Sequence, residues 1–338
     1  MTMNAKIPLL VILGPTASGK TALSLKLARA LNGEIVSVDS RQIYREIDIG
    51  SDKIPLEKDG NGMMCHDGIP HHMIDFVSPD QVYTMSDFKR DAEKLIGEIH
   101  ARGKLPMLVG GTGLYIRAIA QNYEIPDAPP NPELRQKYEK ILEEHGVEKG
   151  REMLHAILQE RDPDAAKSIH KNNTHYVIRA LEIIDGLEKG GKVAKKESRR
   201  GESPYDVYML GIDWPRAKLW ERIDKRVDDQ VKRGLIEESK VLLEKYNIDL
   251  PSISSLGAKE FAPYFAGDAS LEQVLARLKS ATRKYAKRQQ TWFRKEPDVH
   301  WIDGEELEKE MSRQPEILIE RLVRDILTAC PSLEKNGS

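Results

Sequence analysis

Gly14-Pro-Thr-Ala-Ser-Gly-Lys20-Thr21 constrains this chain more than any other stretch. It matches G-x-x-x-x-G-K-[ST] and stands between an apolar run, Ile7 to Leu13, and a segment with apolar residues at helical spacing, Leu23, Leu27, Ala28 and Leu31. A strand, a glycine-rich turn and a helix in that order aim successive backbone N–H groups and the positive end of the helix at an anion. Lys20 adds a full positive charge, and the Thr21 hydroxyl is a ligand for magnesium. Gly14, Pro15, Thr16, Ala17, Ser18, Gly19, Lys20 and Thr21 are therefore the expected diphosphate-binding residues. Thr21 is the expected metal ligand and Mg2+ the expected cofactor.

The surrounding pattern sets the fold class. A continuous apolar run such as Ile7 to Leu13 belongs to a parallel strand covered on both faces. Asn32-Gly33 stops the first helix, and Glu34-Ile-Val-Ser-Val38 supplies the next strand, which makes a βαβ unit. Ser86 to Arg102 reads as an amphipathic helix, Leu105 to Val109 as a strand, and Gly110-Gly-Thr-Gly113 opens another helix. From Gln121 to Gly201 the character changes to a Pro-containing entry, three charged helical stretches and a Gly-Lys exit. The strand pattern returns at Asp206 to Ile212, and helical patterns follow from Pro215 to Tyr246 and from Leu271 to Arg294. The expectation is an α/β fold: a P-loop NTPase-like parallel sheet core flanked by helices, with a helical insertion domain. Residues 1–120 and 201–330 form the core, 121–200 the insertion and 331–338 a tail.

Composition limits the partners. The 338 residues carry 52 Lys plus Arg against 54 Asp plus Glu, a net charge of −2, so any polyanion must be met by a local patch. Cys65 and Cys330 are far apart, which leaves no disulfide framework. The first apolar run is too short for a membrane span and lacks a signal-peptide cleavage site, so a cytoplasmic protein without membrane contact is expected.

Three further groups bear on chemistry. Ile35 to Val38 delivers Asp39 to the carboxyl edge of the sheet, where ligands bind in open α/β folds, although Asp39-Ser40 equally suits a turn or cap. Leu105 to Val109 runs into Gly110-Gly111 with no carboxylate. From Arg277 to Lys295 there are eight basic residues and no acidic one, with Tyr285, Trp292 and Phe293 among them; Lys279, Arg283 and Lys287 share a helical face. That mixture suits RNA, through phosphate contacts and base stacking, and it also suits a solvated helix whose aromatics pack inward. A second basic cluster, Lys189 to Arg200, carries a weaker signal. Cys65, His66, His71 and His72 match no zinc spacing and read as structural.

Several segments in the same order resemble the tRNA dimethylallyltransferases, also called tRNA isopentenyltransferases. They are the phosphate loop, Val38-Asp-Ser-Arg-Gln-Ile-Tyr44, Asp48-Ile-Gly50 with Lys53, Pro70-His-His-Met-Ile-Asp75, Gly110-Gly-Thr-Gly-Leu-Tyr115, Arg179-Ala-Leu-Glu182 and Lys287-Arg-Gln-Gln-Thr-Trp-Phe-Arg294. The resemblance runs from residue 10 to about 300. It implies transfer of a dimethylallyl group from dimethylallyl diphosphate to the exocyclic amine of the adenosine 3′ of the anticodon, in tRNAs reading codons that begin with U. Diphosphate is released, and ATP hydrolysis is not needed, although the loop is often labelled an ATP site. By the same resemblance the catalytic set is Asp39, Thr112, Lys20 and Arg226. Asp39 takes the proton, Lys20 and Arg226 neutralise the leaving diphosphate, and Thr112 contacts the target nucleotide. The implied tRNA contacts are Asp39, Ser40, Arg41, Gln42, Thr112, His175, Tyr176, Arg179, Lys287, Arg288, Gln289, Thr291, Trp292 and Arg294, and the insertion touches the anticodon stem-loop. His71-His72 falls in a turn supporting the phosphate site. A monomer is expected, with tRNA and dimethylallyl diphosphate as partners.

The chain departs from the family pattern in two places: Asn172-Asn-Thr-His-Tyr-Val-Ile-Arg179 replaces an Arg-containing run, and Gly257-Ala-Lys-Glu260 lacks the usual tyrosine. The competing readings are a P-loop kinase of a small metabolite and a non-catalytic RNA-binding protein with a vestigial loop.

Overall fold

The computed structural model describes residues 6–123, 125, 131–186, 202–254 and 257–336. These described residues fall into two compact units, one comprising those within 6–83, 88–120 and 203–336, the other those within 84–87 and 121–202.

The first unit is built on an eight-stranded sheet. Its leading half contains β1 (Ile7–Leu13), α1 (Lys20–Ala30), β2 (Gly33–Val38), β3 (Glu57–Lys58), β4 (Met64–His66), β5 (Ile69–His72), α2 (Met85–Ala101), β6 (Leu105–Gly110) and α3 (Gly113–Ala120). The second unit supplies α4 (Pro132–His145), α5 (Val147–Arg161), α6 (Pro163–Ser168) and α7 (Thr174–Gly186). The first unit resumes with β7 (Tyr205–Asp213), α8 (Arg216–Lys232), α9 (Leu235–Lys245), α10 (Ala258–Phe265), α11 (Leu271–Phe293), β8 (Val299–Asp303), α12 (Gly304–Arg313) and α13 (Pro315–Ala329).

Strand order is β3-β4-β5-β2-β6-β1-β7-β8, parallel from β5 to β8. This is the P-loop NTPase-like α/β fold expected. β1, β2 and β6 are buried almost throughout because helices cover both faces, which is why they read as unbroken apolar runs. Leu23 and Leu27, one turn apart on α1, meet Leu10, Ile12 and Met107 on one side of the sheet. Phe88, Ala92, Ile96 and Ile99 are the buried stripe of α2, and Phe88 stacks on Tyr115 of α3 with ring centroids 3.9 Å apart.

Register lines up the functional ends. Val38, Gly110, Leu13 and Gly211 are partners in one row across β2, β6, β1 and β7, so Asp39, Gly111 and Gly14 leave the sheet side by side, while β7 continues to Asp213 along β8. Gly110 is required there, because a Cβ would lie 2.1 Å from the Val38 carbonyl oxygen. Gly110→Ala is expected to cost about 1–3 kcal/mol or more by forcing the two strands apart, read as a lowered midpoint in urea unfolding.

Two local expectations change. His71 and His72 lie on β5 and not in a turn, because Ile35 and Val36 of β2 pair with them in parallel. The antiparallel β3-β4-β5 hairpin is built of strands of two to four residues, too short for a period to show.

The second unit has its own core of Tyr138, Leu154, Leu158, Val177, Leu181 and Ile184. Three helical stretches are expected there, and four helices form among the described residues. The added break is local chemistry: Asp162 accepts a hydrogen bond from the Ala165 N–H at 3.0 Å and Pro163 takes the first helical position, so α5 ends and α6 begins at one residue. The Lys189–Arg200 cluster lies outside the described residues.

Candidate active site

The loop between β1 and α1 is held in an anion-binding shape by side chains from distant segments. Gly19 caps α1 in the left-handed region at φ 93°, a conformation open to glycine at little cost. The first-turn N–H groups of α1 have no helical carbonyl to meet. Lys20 Nζ folds back onto the Gly14 and Pro15 carbonyls at 3.0 and 2.8 Å. Trp214 Nε1, just past β7, donates to the Ser18 carbonyl at 3.0 Å, and Arg222 Nε of α8 donates to the Ala17 carbonyl at 2.9 Å while stacking on Trp214. One turn further along α8, Arg226 donates to the Thr16 hydroxyl at 2.8 Å and pairs with Asp52 at 3.3 Å. Gln289 of α11 accepts from the Thr16 N–H at 2.8 Å. The carbonyls of Gly14, Pro15, Ala17 and Ser18 thus all accept from side-chain donors.

Asp39 follows β2. Its Oδ1 accepts from the Arg41 N–H at 2.9 Å and the Gln42 N–H at 3.4 Å, so the carboxylate caps its own turn and lines the site as well. The Thr112 hydroxyl accepts from the Ser40 N–H at 3.1 Å, joining the turn after β6 to the turn after β2. Gln42 is engaged with Ser37 and the carbonyls of Ser51 and Asp52.

A cavity of about 1090 Å3 opens over these groups and brings Lys20, Thr21, Asp39, Arg41, Arg226 and Arg288 to one space. Burial draws the Lys20 ammonium down to about 8, against the upward influence of Asp39, and Arg226 adds to the lowering. Burial also lowers Arg41, opposed by Asp39, Tyr285 and Glu260. The Tyr285 phenol is pushed up to about 12, by burial first and then by Asp39, so it lines the cavity in its neutral form.

Thr112, Lys287, Thr291, Trp292 and Arg294 do not line the cavity. Trp292 packs on the turn after β6, where a Cβ on Gly113 would fall 2.3 Å from its ring, and Arg117 lies over it. Lys287, Arg288 and Thr291 are exposed. The basic stretch of α11 is partly neutralised: Lys279 pairs with Asp228, Arg283 with Asp224 and Arg294 with Asp213. In the second unit His175 and Tyr176 are exposed, and Arg179 pairs with buried Glu182 at 3.1 Å. Ala258, where the family has tyrosine, is buried with Ile43, Tyr44 and Leu242, so the lost ring is an interior one.

Sequence reasoning missed Arg222 and Trp214. The signal was present: Trp214 leaves the carboxyl edge of β7, and Arg222 sits one helical turn before Arg226. The histidine group is structural in its contacts. His72 Nε2 meets Glu34 at 2.7 Å, His71 Nδ1 meets the Ile69 carbonyl at 2.8 Å, and burial draws the His71 imidazole down to about 4.

Fold and site define a P-loop α/β protein with its glycine-rich loop at the carboxyl edge of the sheet. The family described as IPP transferase matches residues 42–296, and the one described as isopentenyl transferase matches residues 7–62. A tRNA dimethylallyltransferase of Bacillus mycoides is 45% identical over 300 residues, covering 88% of this chain and 90% of the relative. That of Thermomicrobium roseum is 44% identical over 302 residues, covering 89% and 88%. The crystal structure of the full-length tRNA isopentenylpyrophosphate transferase from Bacillus halodurans is 38% identical, covers 98% of both chains and has a TM-score of 0.65. A eukaryotic dimethylallyltransferase acting on tRNA is 29% identical over 93% of this chain and 78% of its own, with a TM-score of 0.75. The chain belongs to the IPP transferase family, and it is an enzyme of the prenyltransferase class.

Proposed function

We propose that this enzyme transfers the dimethylallyl group of dimethylallyl diphosphate to the exocyclic amine of the adenosine 3′ of the anticodon, in tRNAs reading codons that begin with U, and releases diphosphate in the cytoplasm. The observation that carries this reading is one cavity lined by Lys20 and Arg226 at one end of the reaction and Asp39 at the other. The allylic C–O bond breaks and its electron pair leaves on diphosphate, where Lys20, Arg226 and the α1 N-terminus meet the growing negative charge. The adenine amine forms the new C–N bond, and its N–H, acidified as that bond forms, passes its proton to the Asp39 carboxylate. A base stacked in an anticodon loop reaches this cavity only when flipped out, at a cost of a few kcal/mol. Ser40, Arg41 and Gln42 beside Asp39, with exposed Lys287, Arg288, Thr291, His175 and Tyr176, are the proposed RNA contacts.

Magnesium fits the donor set as a cation carried mainly by the diphosphate and water. Thr21 supplies a hydroxyl, and no group of three His, Cys, Asp or Glu side chains gathers among the described residues. When bound there it would neutralise diphosphate charge.

Arg226→Ala removes a cation with charge-assisted hydrogen-bonding capacity and should raise KM for dimethylallyl diphosphate by roughly 10–100-fold while leaving KM for RNA in place. A variant with weakened RNA binding alone would displace Arg226 from the diphosphate. The reading itself is tested by single-turnover transfer from labelled dimethylallyl diphosphate to an unmodified anticodon stem-loop, with magnesium and without ATP. Label in RNA supports it; no label, with phosphate released from ATP on addition of a small acceptor, supports a kinase.

A further inference from the structure

We infer that Gln289 is a positioning residue that sets the distance between the two reactants, and that it is not an RNA contact. The inference rests on the transfer reaction proposed above. Gln289 is 8% exposed, and both ends of its amide are occupied: Oε1 accepts from the Thr16 N–H at 2.8 Å, and Nε2 donates to the Gly111 carbonyl at 2.9 Å. Thr16 belongs to the loop that holds the diphosphate. Gly111 begins the turn whose next residue, Thr112, is bonded to Ser40 beside Asp39. One planar amide therefore spans from the donor side of the site to the acceptor side.

The chemistry selects this side chain. The strut needs an acceptor and a donor at fixed separation, which glutamine presents from one rigid group, whereas ionised glutamate accepts only and lysine donates only. Gly111 is matched to it, since a Cβ there would fall 2.4 Å from Nε2. The Gly111 and Thr112 N–H groups both meet the Val38 carbonyl, at 3.2 and 3.1 Å, so a shift of this turn moves the end of β2 and Asp39 with it. Reacting atoms must be held near contact for transfer, and a misplacement of about 1 Å costs roughly a hundredfold in rate.

The test uses the full chain in single-turnover transfer at saturating dimethylallyl diphosphate and stem-loop RNA, with folding followed by circular dichroism. Gln289→Met keeps volume and removes both bonds. Its saturated rate should fall roughly a hundredfold with KM for RNA little changed. Gln289→Glu keeps the acceptor and regains a donor only when its carboxyl is protonated, so its rate relative to wild type should climb as pH falls from about 8 to about 5.5. A saturated rate like that of wild type, with only a lower melting temperature, would reduce Gln289 to packing. A loss confined to KM for RNA would make it an RNA contact. If Gln289→Met does not fold, the Gln289→Glu profile decides, and a ratio flat in pH overturns the strut. A wild-type chain that transfers nothing overturns the functional reading, and the strut's role in it, whereas a defect in the variants alone does not.

Discussion

Asp39→Asn should leave the fold and RNA binding intact and slow transfer by roughly 10²–10⁴-fold, the usual worth of a placed proton acceptor. The substitution is clean because the Asn side-chain oxygen still accepts from the Arg41 and Gln42 N–H groups, which keeps the turn after β2 in shape. What it removes is the negative charge and the basic lone pair. A second effect follows from the same change. Asp39 is the neighbour that holds the Lys20 ammonium up against burial, so in the variant the lysine loses its proton below about 8. Donor affinity should then weaken at a lower pH than in wild type. Single-turnover rates at saturation measure the first effect and donor affinity against pH the second; unchanged transfer would remove Asp39 from proton acceptance.

Lys20→Met should slow transfer by roughly 10²–10³-fold, as loss of one preorganised charge at a developing anion does. RNA binding should persist. The native lysine also sets a pH limit. Its ammonium sits at about 8 in the free enzyme, and bound diphosphate favours the charged form. Affinity for a non-hydrolysable donor analogue should hold below about pH 8 and fall as pH rises through it, and the Lys20→Met variant should show no such fall. A wild-type affinity flat across that window would show that Lys20 does not carry the binding charge.

Much of the site was legible because its elements are local. The phosphate loop, its strand and its helix are contiguous, and Asp39 follows its strand directly, so period and position placed them. The turn at Gly110 to Gly113 was legible for the same reason. The supports of the loop were not, because each comes from far along the chain: Thr16 meets Arg226 and Gln289, separated from it by 210 and 273 positions. Gln289 shows this most clearly, since nothing in its motif announces the bonds its amide makes to Thr16 and Gly111. Charge counting misled in a related way. The stretch from Arg277 to Lys295 has no acid of its own, yet Asp224 and Asp228 of α8 and Asp213 of β7 reach it. Composition within one segment cannot register a counter-ion supplied by another.

The order of strands also bears on how the protein is made. β1 leaves the ribosome before either of its sheet neighbours, of which one begins at Leu105 and the other at Tyr205 after the whole helical insertion. A nascent chain that has emerged as far as Gly186 therefore holds β1 with one edge open, while the insertion already has the residues of its own core. An apolar edge left unpaired is a template for wrong pairing, and contacts of such long range form slowly. Synthesis of this enzyme thus passes through a period in which one part is ready to fold and the phosphate loop is not, and the working site appears only once α11 has been delivered.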